Sequence, residues 1–185
     1  MNDGVREIEV KYRVAEPDAI VVALRQLGVE LSAPVRQDDQ AYAPAGWAYG
    51  QSKTGVSFAR LRTQDGRHLF CVKRPLDNEL ACQEYETEVA EREPMHAAIL
   101  AMGFQPTVRI VKTRRTGRLG GMSFCLDEIR HLGTFLEIEL LVDDNRSAVE
   151  VQARLDDFAQ SLGVELARST ETYDSLIRAA LTAPV

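Results

Sequence analysis

The 185-residue sequence has no run of 18 apolar residues, so no membrane-spanning helix is expected. Cysteine is scarce. Cys71, Cys82 and Cys125 are odd in number and far apart, which fits neither a disulfide framework nor a zinc site. Buried, reduced thiols are expected instead. The three histidines, His68, His96 and His131, make no HxxxH or HExxH pattern, so imidazole-bound metal is not expected. There is no excess of positive charge. A net charge of −6 argues against a protein that coats nucleic acid. The opening stretch MNDGVREIEV has neither a basic region nor an apolar core of the signal-peptide kind, and a cytoplasmic location is the expectation. No low-complexity linker interrupts the chain, and no internal repeat is visible.

What is present suits a globular protein, with 45% hydrophobic and 27% charged residues. One domain over 1–185 is expected. Strand signals dominate. Arg6–Val14 alternates strictly between apolar and charged residues. Glu16–Gly28 reads as a helix, with Pro17 near its start and Gly28 as its stop. Val29–Tyr42 reads as an irregular strand, and Ala43–Gly55 as a mobile Gly- and Ala-rich loop. Asp65-Gly66 joins two alternating runs in a hairpin. Cys82–Glu91 is a further strand. Glu93–Gly103 is a helix closed by Gly103. Thr107–Gly117 and Met122–Arg130 flank Leu119-Gly120-Gly121 as a second hairpin. Gly133–Val142 is the last strong strand. Asn145–Gly163 is an amphipathic helix with Asn145 as N-cap, and Thr170–Leu181 a terminal helix. The total is about eight strands and three or four helices.

The strands carry unusual charges. Glu7, Glu9 and Lys11 share one face of the first strand. Arg60 and Arg62 share a face, as do Lys112 and Arg114, Glu137 and Glu139, and the row Glu84, Glu86, Glu88. Lys73 ends an otherwise apolar strand, and Asp127 shares a face with Cys125. A sheet with one wet face would account for any single strand. Doublets of one sign, two residues apart, repel each other unless a counter-ion is bound. Converging carboxylates suit a hard divalent cation. Converging Arg and Lys suit phosphate. A closed barrel lined with both would hold a metal–polyphosphate complex, with its apolar outer faces covered by helices. Of the Glu row, Glu86 is the expected inward residue. Trp47, Tyr42 and Tyr49 are read as a packing cluster, and Tyr173 as a helix-packing residue.

The stretch EIEVK (Glu7, Glu9, Lys11) resembles the ExExK signature of the CYTH family, the triphosphate tunnel metalloenzymes. ARLR, CVKRP, a Glu-rich strand, VKTRR, LDEI and LGTFLEIE follow in that family's order, and the likeness runs to the terminal TYDSLI. The resemblance implies an α+β fold, an eight-stranded antiparallel β-barrel forming a tunnel with helices packed outside. It implies Mg²⁺ or Mn²⁺ held by Glu7, Glu9, Glu137 and Glu139, with Asp127 holding metal or a basic neighbour. It implies phosphate binding by Lys11, Arg60, Arg62, Lys73, Lys112 and Arg114. Of these, Lys11, Lys73 and Arg60 are the catalytic candidates. The implied activity is that of a class IV adenylyl cyclase. The alternatives are an organic triphosphatase of the thiamine triphosphatase type, an inorganic triphosphatase, and a non-catalytic module binding nucleotide or polyphosphate. The implied partner is a small triphosphate: ATP, thiamine triphosphate or tripolyphosphate. Neither nucleic acid nor membrane is expected, and a homodimer is implied by analogy alone.

Overall fold

A computed structural model describes residues 5–143 and 145–182. The first four residues, read above for a leader, and the last three of the 1–185 unit lie outside them. Eight strands run antiparallel to their neighbours: β1 (Val5–Val14), β2 (Val35–Pro44), β3 (Phe58–Gln64), β4 (Arg67–Pro75), β5 (Ala81–Val89), β6 (Phe104–Leu119), β7 (Met122–Ile129) and β8 (Gly133–Asp143). Their order is β5-β4-β3-β2-β6-β7-β8-β1, and β1 returns to β5 to close a ring. The eight-stranded architecture expected from sequence is therefore present. Closure is short. Arg6, Glu7 and Ile8 pair with Gln83, Cys82 and Ala81, and the rest of that edge is taken by β9 (Leu166–Ser169), which pairs with Lys11–Val14.

Two hairpins behave as read. Asp65 and Gly66 both take positive φ, as do Gly120 and Gly121, which matches the twist of the strands they join. The second strand is shorter than expected, beginning at Val35 rather than Val29. Its register against β6 slips between Gln40 and Tyr42, and pairing resumes from Tyr42 to Pro44.

Four helices complete the described residues: α1 (Pro17–Gln26), α2 (Arg92–Ala101), α3 (Ala148–Ser161) and α4 (Tyr173–Thr182). The N-cap of α3 is Ser147, not Asn145. The Ser147 hydroxyl accepts from the Glu150 amide, the spacing of a capping box, whereas Asn145 lies in the preceding turn. No helix among the described residues is long and apolar enough to cross a membrane.

The main apolar core lies outside the ring. Ile8, Val10, Tyr12 and Val14 join Phe124, Leu126, Leu136 and Ile138 on the outer surface, under Ile20 and Leu24 of α1 and Val151 and Leu155 of α3. Ile99 of α2 covers Tyr42, Ala59 and Leu61. The fourth helix departs from the expectation that helices pack outside. Tyr173 and Ile177 pack on Val108, Ile110 and Phe135, residues in phase with Lys112 and Glu137. Thus α4 stoppers one end of the ring from within.

Candidate active site

Period-two alternation sends the apolar half of each strand outward and the charged half inward. The inward half encloses a cavity of about 450 Å³, to which every ring strand except β7 contributes wall residues. Glu7, Glu9, Glu137 and Glu139 line it, as do Lys11, Arg60, Arg62, Lys73, Lys112 and Arg114, with Glu86 at the edge. Asp127 does not.

The acidic side is set by the pairing of β1 with β8. Glu9 stands directly opposite Glu139, and Lys11 opposite Glu137. Like charges at such a position destabilise a sheet. Carboxylate oxygens of Glu7, Glu9 and Glu139 lie within 4.8 Å of one another. Burial raises all three carboxyls and neighbouring carboxylates add to it; Glu139 is pushed up to about 8, by burial first and Glu7 next. An all-oxygen cluster that resists carrying its own charge fits a hard divalent cation. Glu137 behaves differently. Burial would raise it, but Lys11 and Arg114 outweigh burial and hold it well below the usual carboxylate range. Its oxygens meet Lys11 Nζ at 3.2 Å and Arg114 Nη2 at 2.5 Å. Three of the four expected carboxylates thus converge, and the fourth is drawn to the basic side.

The basic groups are each parked on an acid. Arg62 donates both arms of its fork to Asp39, at 2.7 and 2.8 Å. Arg60 reaches Glu86 at 2.8 Å, and Lys73 lies between Glu84 and Glu7, 3.4 Å from the latter. Asp127 is fully buried and takes Lys112 at 2.8 Å and Arg114 at 2.6 Å. Of the two roles expected for Asp127, the structure therefore supplies the basic neighbours. Asp127 neither lines the cavity nor joins the carboxylate cluster, lying on the inner face of β7 beneath Lys112 and Arg114. Burial opposes its charge, yet Lys112 and Arg114 keep it lowered. Lys112 is itself lowered, by burial and then by Arg114. Burial also opposes the Lys11 charge, but Glu9 and Glu137 outweigh it and raise the group.

Several wall residues had no sequence signal. Asp39 follows another acid, Asp38, and only the register Asp39 to Arg62 reveals which of the two faces inward. Glu84 is more enclosed than Glu86, the residue favoured above; Glu88 lies at the far end of the row, paired with Arg67 in solvent. Lys53, in the loop read as mobile, is buried. It donates to Ser175 Oγ at 2.8 Å and Asp174 at 3.1 Å, and meets Glu79 at 3.3 Å. Trp47 packs edge-on against Tyr49 and Phe58, as a packing cluster would, while the Tyr42 hydroxyl leaves that group for His96 Nδ1 at 2.7 Å. Tyr173 packs on Phe135, as expected of a helix residue, and also lines the cavity. All three cysteines are buried and free, and the Cys125 thiol donates to Glu139 at 3.5 Å.

The CYTH domain family model matches residues 5–173. Adenylate cyclase CyaB of Aeromonas hydrophila is 25% identical over 182 residues, covering 97% of this chain and 92% of that protein. The PH1819 protein of Pyrococcus horikoshii OT3 superposes with a TM-score of 0.76 at 25% identity, over 93% of this chain and 98% of that one. HpAC1 from Hippeastrum, described as revealing a dominant triphosphatase activity, has a TM-score of 0.61 at 19% identity, over 94% and 95% of the two chains.

Proposed function

The chain belongs to the CYTH domain family, and from that premise we propose that it is a divalent-metal-dependent enzyme that converts ATP to cyclic AMP and pyrophosphate inside the ring. One observation carries the reading. The cluster Glu7, Glu9 and Glu139 shares a single cavity with Arg60, Arg62, Lys73, Lys112 and Arg114. A triphosphate with its cation needs both sets at once. A module that only bound phosphate would have no use for a carboxylate cluster that raises its own pKa values.

Mg²⁺ or Mn²⁺, held by Glu7, Glu9 and Glu139, would supply Lewis-acid polarisation and a template for the phosphate oxygens. The chain's own residues do the rest. Phosphate oxygens replace the carboxylates on which Arg60 and Lys73 are parked. Asp127, beneath Lys112 and Arg114, holds their charged ends in the cavity. Asp39 fixes the plane of the Arg62 guanidinium. Reaction of this kind depends on alignment and charge stabilisation more than on a covalent nucleophile. The ribose 3′-hydroxyl oxygen forms its bond to the α-phosphorus as the bond to pyrophosphate breaks, the hydroxyl proton passes through water to the departing pyrophosphate, and Lys11, Lys73 and Arg60 stabilise the charge that develops.

The choice of cyclisation rests on the similarity to CyaB across 97% of the chain. Hydrolysis is the second reading, favoured by the activity described for HpAC1 on the same fold. Product analysis decides. The purified protein with Mg²⁺ or Mn²⁺ is given ATP, thiamine triphosphate and tripolyphosphate in turn. Cyclic AMP with pyrophosphate is expected from ATP. Orthophosphate release from either other compound, with no cyclic AMP, would replace cyclase by triphosphatase. No turnover of any substrate would leave only a binding module.

A further inference from the structure

Tyr173 opens α4, the helix that stoppers the ring. Its position is fixed from several sides. The ring stands edge-on to Phe135, with centroids 5.4 Å apart. Lys11 Nζ lies 4.2 Å and Lys112 Nζ 4.8 Å from the ring centre, so both ammonium groups rest on its π-system. Lys53 ties the same turn down through Asp174 and Ser175. The residue is 8% exposed and lines the cavity, yet its hydroxyl has no hydrogen-bond partner among the described residues.

A buried hydroxyl without a partner needs an explanation. The nearby carboxylates do not provide one. Glu137 is occupied by Lys11 and Arg114, and Asp127 by Lys112 and Arg114. The phenol keeps its proton, because burial first and then Glu137 and Asp127 raise it well above its ordinary value. It is therefore a donor in want of an acceptor. Any anionic oxygen drawn to Lys11 and Lys112 arrives beside this one ring.

We propose that the Tyr173 hydroxyl donates a hydrogen bond to a phosphate oxygen of the bound triphosphate. The inference rests on the tunnel reading above. It makes α4 part of the binding site as well as a stopper.

The test separates ligand binding from packing. Inorganic tripolyphosphate with Mg²⁺ is titrated calorimetrically into the parent, Y173F and Y173L, and each protein's melting temperature is measured without ligand. Y173F removes only an unsatisfied hydroxyl, so it should melt at or above the parent temperature. It should bind tripolyphosphate about tenfold more weakly, equivalent to about 1.4 kcal/mol. Y173L should bind more weakly still, because both lysines lose the aromatic face; should it fail to fold, Y173F alone decides. Binding by Y173F within about twofold of the parent overturns the inference. So does weaker binding with a lower melting temperature, which would give the hydroxyl a partner within the protein. A parent that binds no tripolyphosphate overturns the tunnel reading itself, and this inference with it.

Discussion

At the scale of single residues, the cavity is a set of charges held in check by one another. Burying an ion pair costs desolvation, and removing one partner costs more than the pair is worth. Arg62 and Asp39 illustrate the point. The pair is buried, both arms of the fork are used, and Arg62 holds Asp39 down to about 2 against the opposing effect of burial. Lysine cannot make two parallel bonds from one rigid plane. R62K is expected to lower kcat/KM for the triphosphate at least roughly tenfold, about 1.4 kcal/mol of transition-state binding. Steady-state kinetics check this, and parental values would make the pair structural. Glu139 gives the opposite balance of stability and function. Its carboxylate crowds Glu7 and Glu9, so E139Q removes a repulsion. The metal-free variant is expected to melt higher than the parent at pH 8.5 and to lose most metal-dependent turnover. A variant that keeps full activity at limiting Mg²⁺ would take Glu139 out of the cation site.

At the scale of elements, much of the ring was legible because strict alternation has only one good use, a sheet with two unlike faces. Both hairpins carried their turn residues openly. What stayed hidden depended on contacts between distant segments. The four residues of β9 have no periodicity of their own, and they become a strand only because β5 leaves the edge of β1 free from Lys11 onward. The terminal helix was legible, with Tyr173 as a packing residue, but a helix signal does not say whether it packs outside a ring or inside one end. Asp39 looked no different from Asp38 until β2 met β3. Gly117 is similar. It sits in β6 where an added Cβ would lie 2.6 Å from Val29 Cγ1 and 3.2 Å from the Glu30 carbonyl oxygen. The segment before β2 crosses the strand at that point and hydrogen-bonds to it through Ser32 and Thr116. Val29 is buried and β-branched, so it cannot swing aside. G117A is expected to destabilise by about 1–3 kcal/mol, the usual cost of overpacking, measured by denaturant unfolding. An unchanged midpoint would mean that the crossing segment can lift away. Lys53 makes a comparable link between the long loop, the β4–β5 turn and α4. K53M should cost about 2 kcal/mol, since charge-assisted hydrogen bonds are lost, and should speed protease cleavage within residues 45–57.

At the scale of the whole molecule, the ring inverts the usual arrangement. The apolar core lies between strands and outer helices, and the interior is charged except where α4 fills one end. Stability must then depend on pH through the interior, and the two classes of carboxylate pull in opposite directions. Asp39, Glu84, Asp127 and Glu137 are lowered by their basic partners. Their contribution is present above the unfolded carboxylate pKa, near 4, and is lost only as pH falls through the lower folded values. Glu7, Glu9 and Glu139 are raised. Their contribution is complete below the unfolded pKa and is lost as pH rises through the folded values, up to about 8 for Glu139. Between pH 6 and 9 the first class is fully ionised and contributes a constant, so the second sets the slope. The metal-free protein is expected to melt about 5 °C lower at pH 9 than at pH 6, on the order of 2 kcal/mol for a chain of this size. If the cluster holds Mg²⁺ as proposed, the ion would bind its ionised and not its protonated form, so the stabilising effect of Mg²⁺ should grow over the same interval. Thermal melts across that range, with and without Mg²⁺, test both halves, and E139Q should flatten the metal-free slope. A parent whose metal-free melting temperature is level from pH 6 to 9 would mean that Lys11 and Lys73 already neutralise the three carboxylates, leaving them no need of a cation.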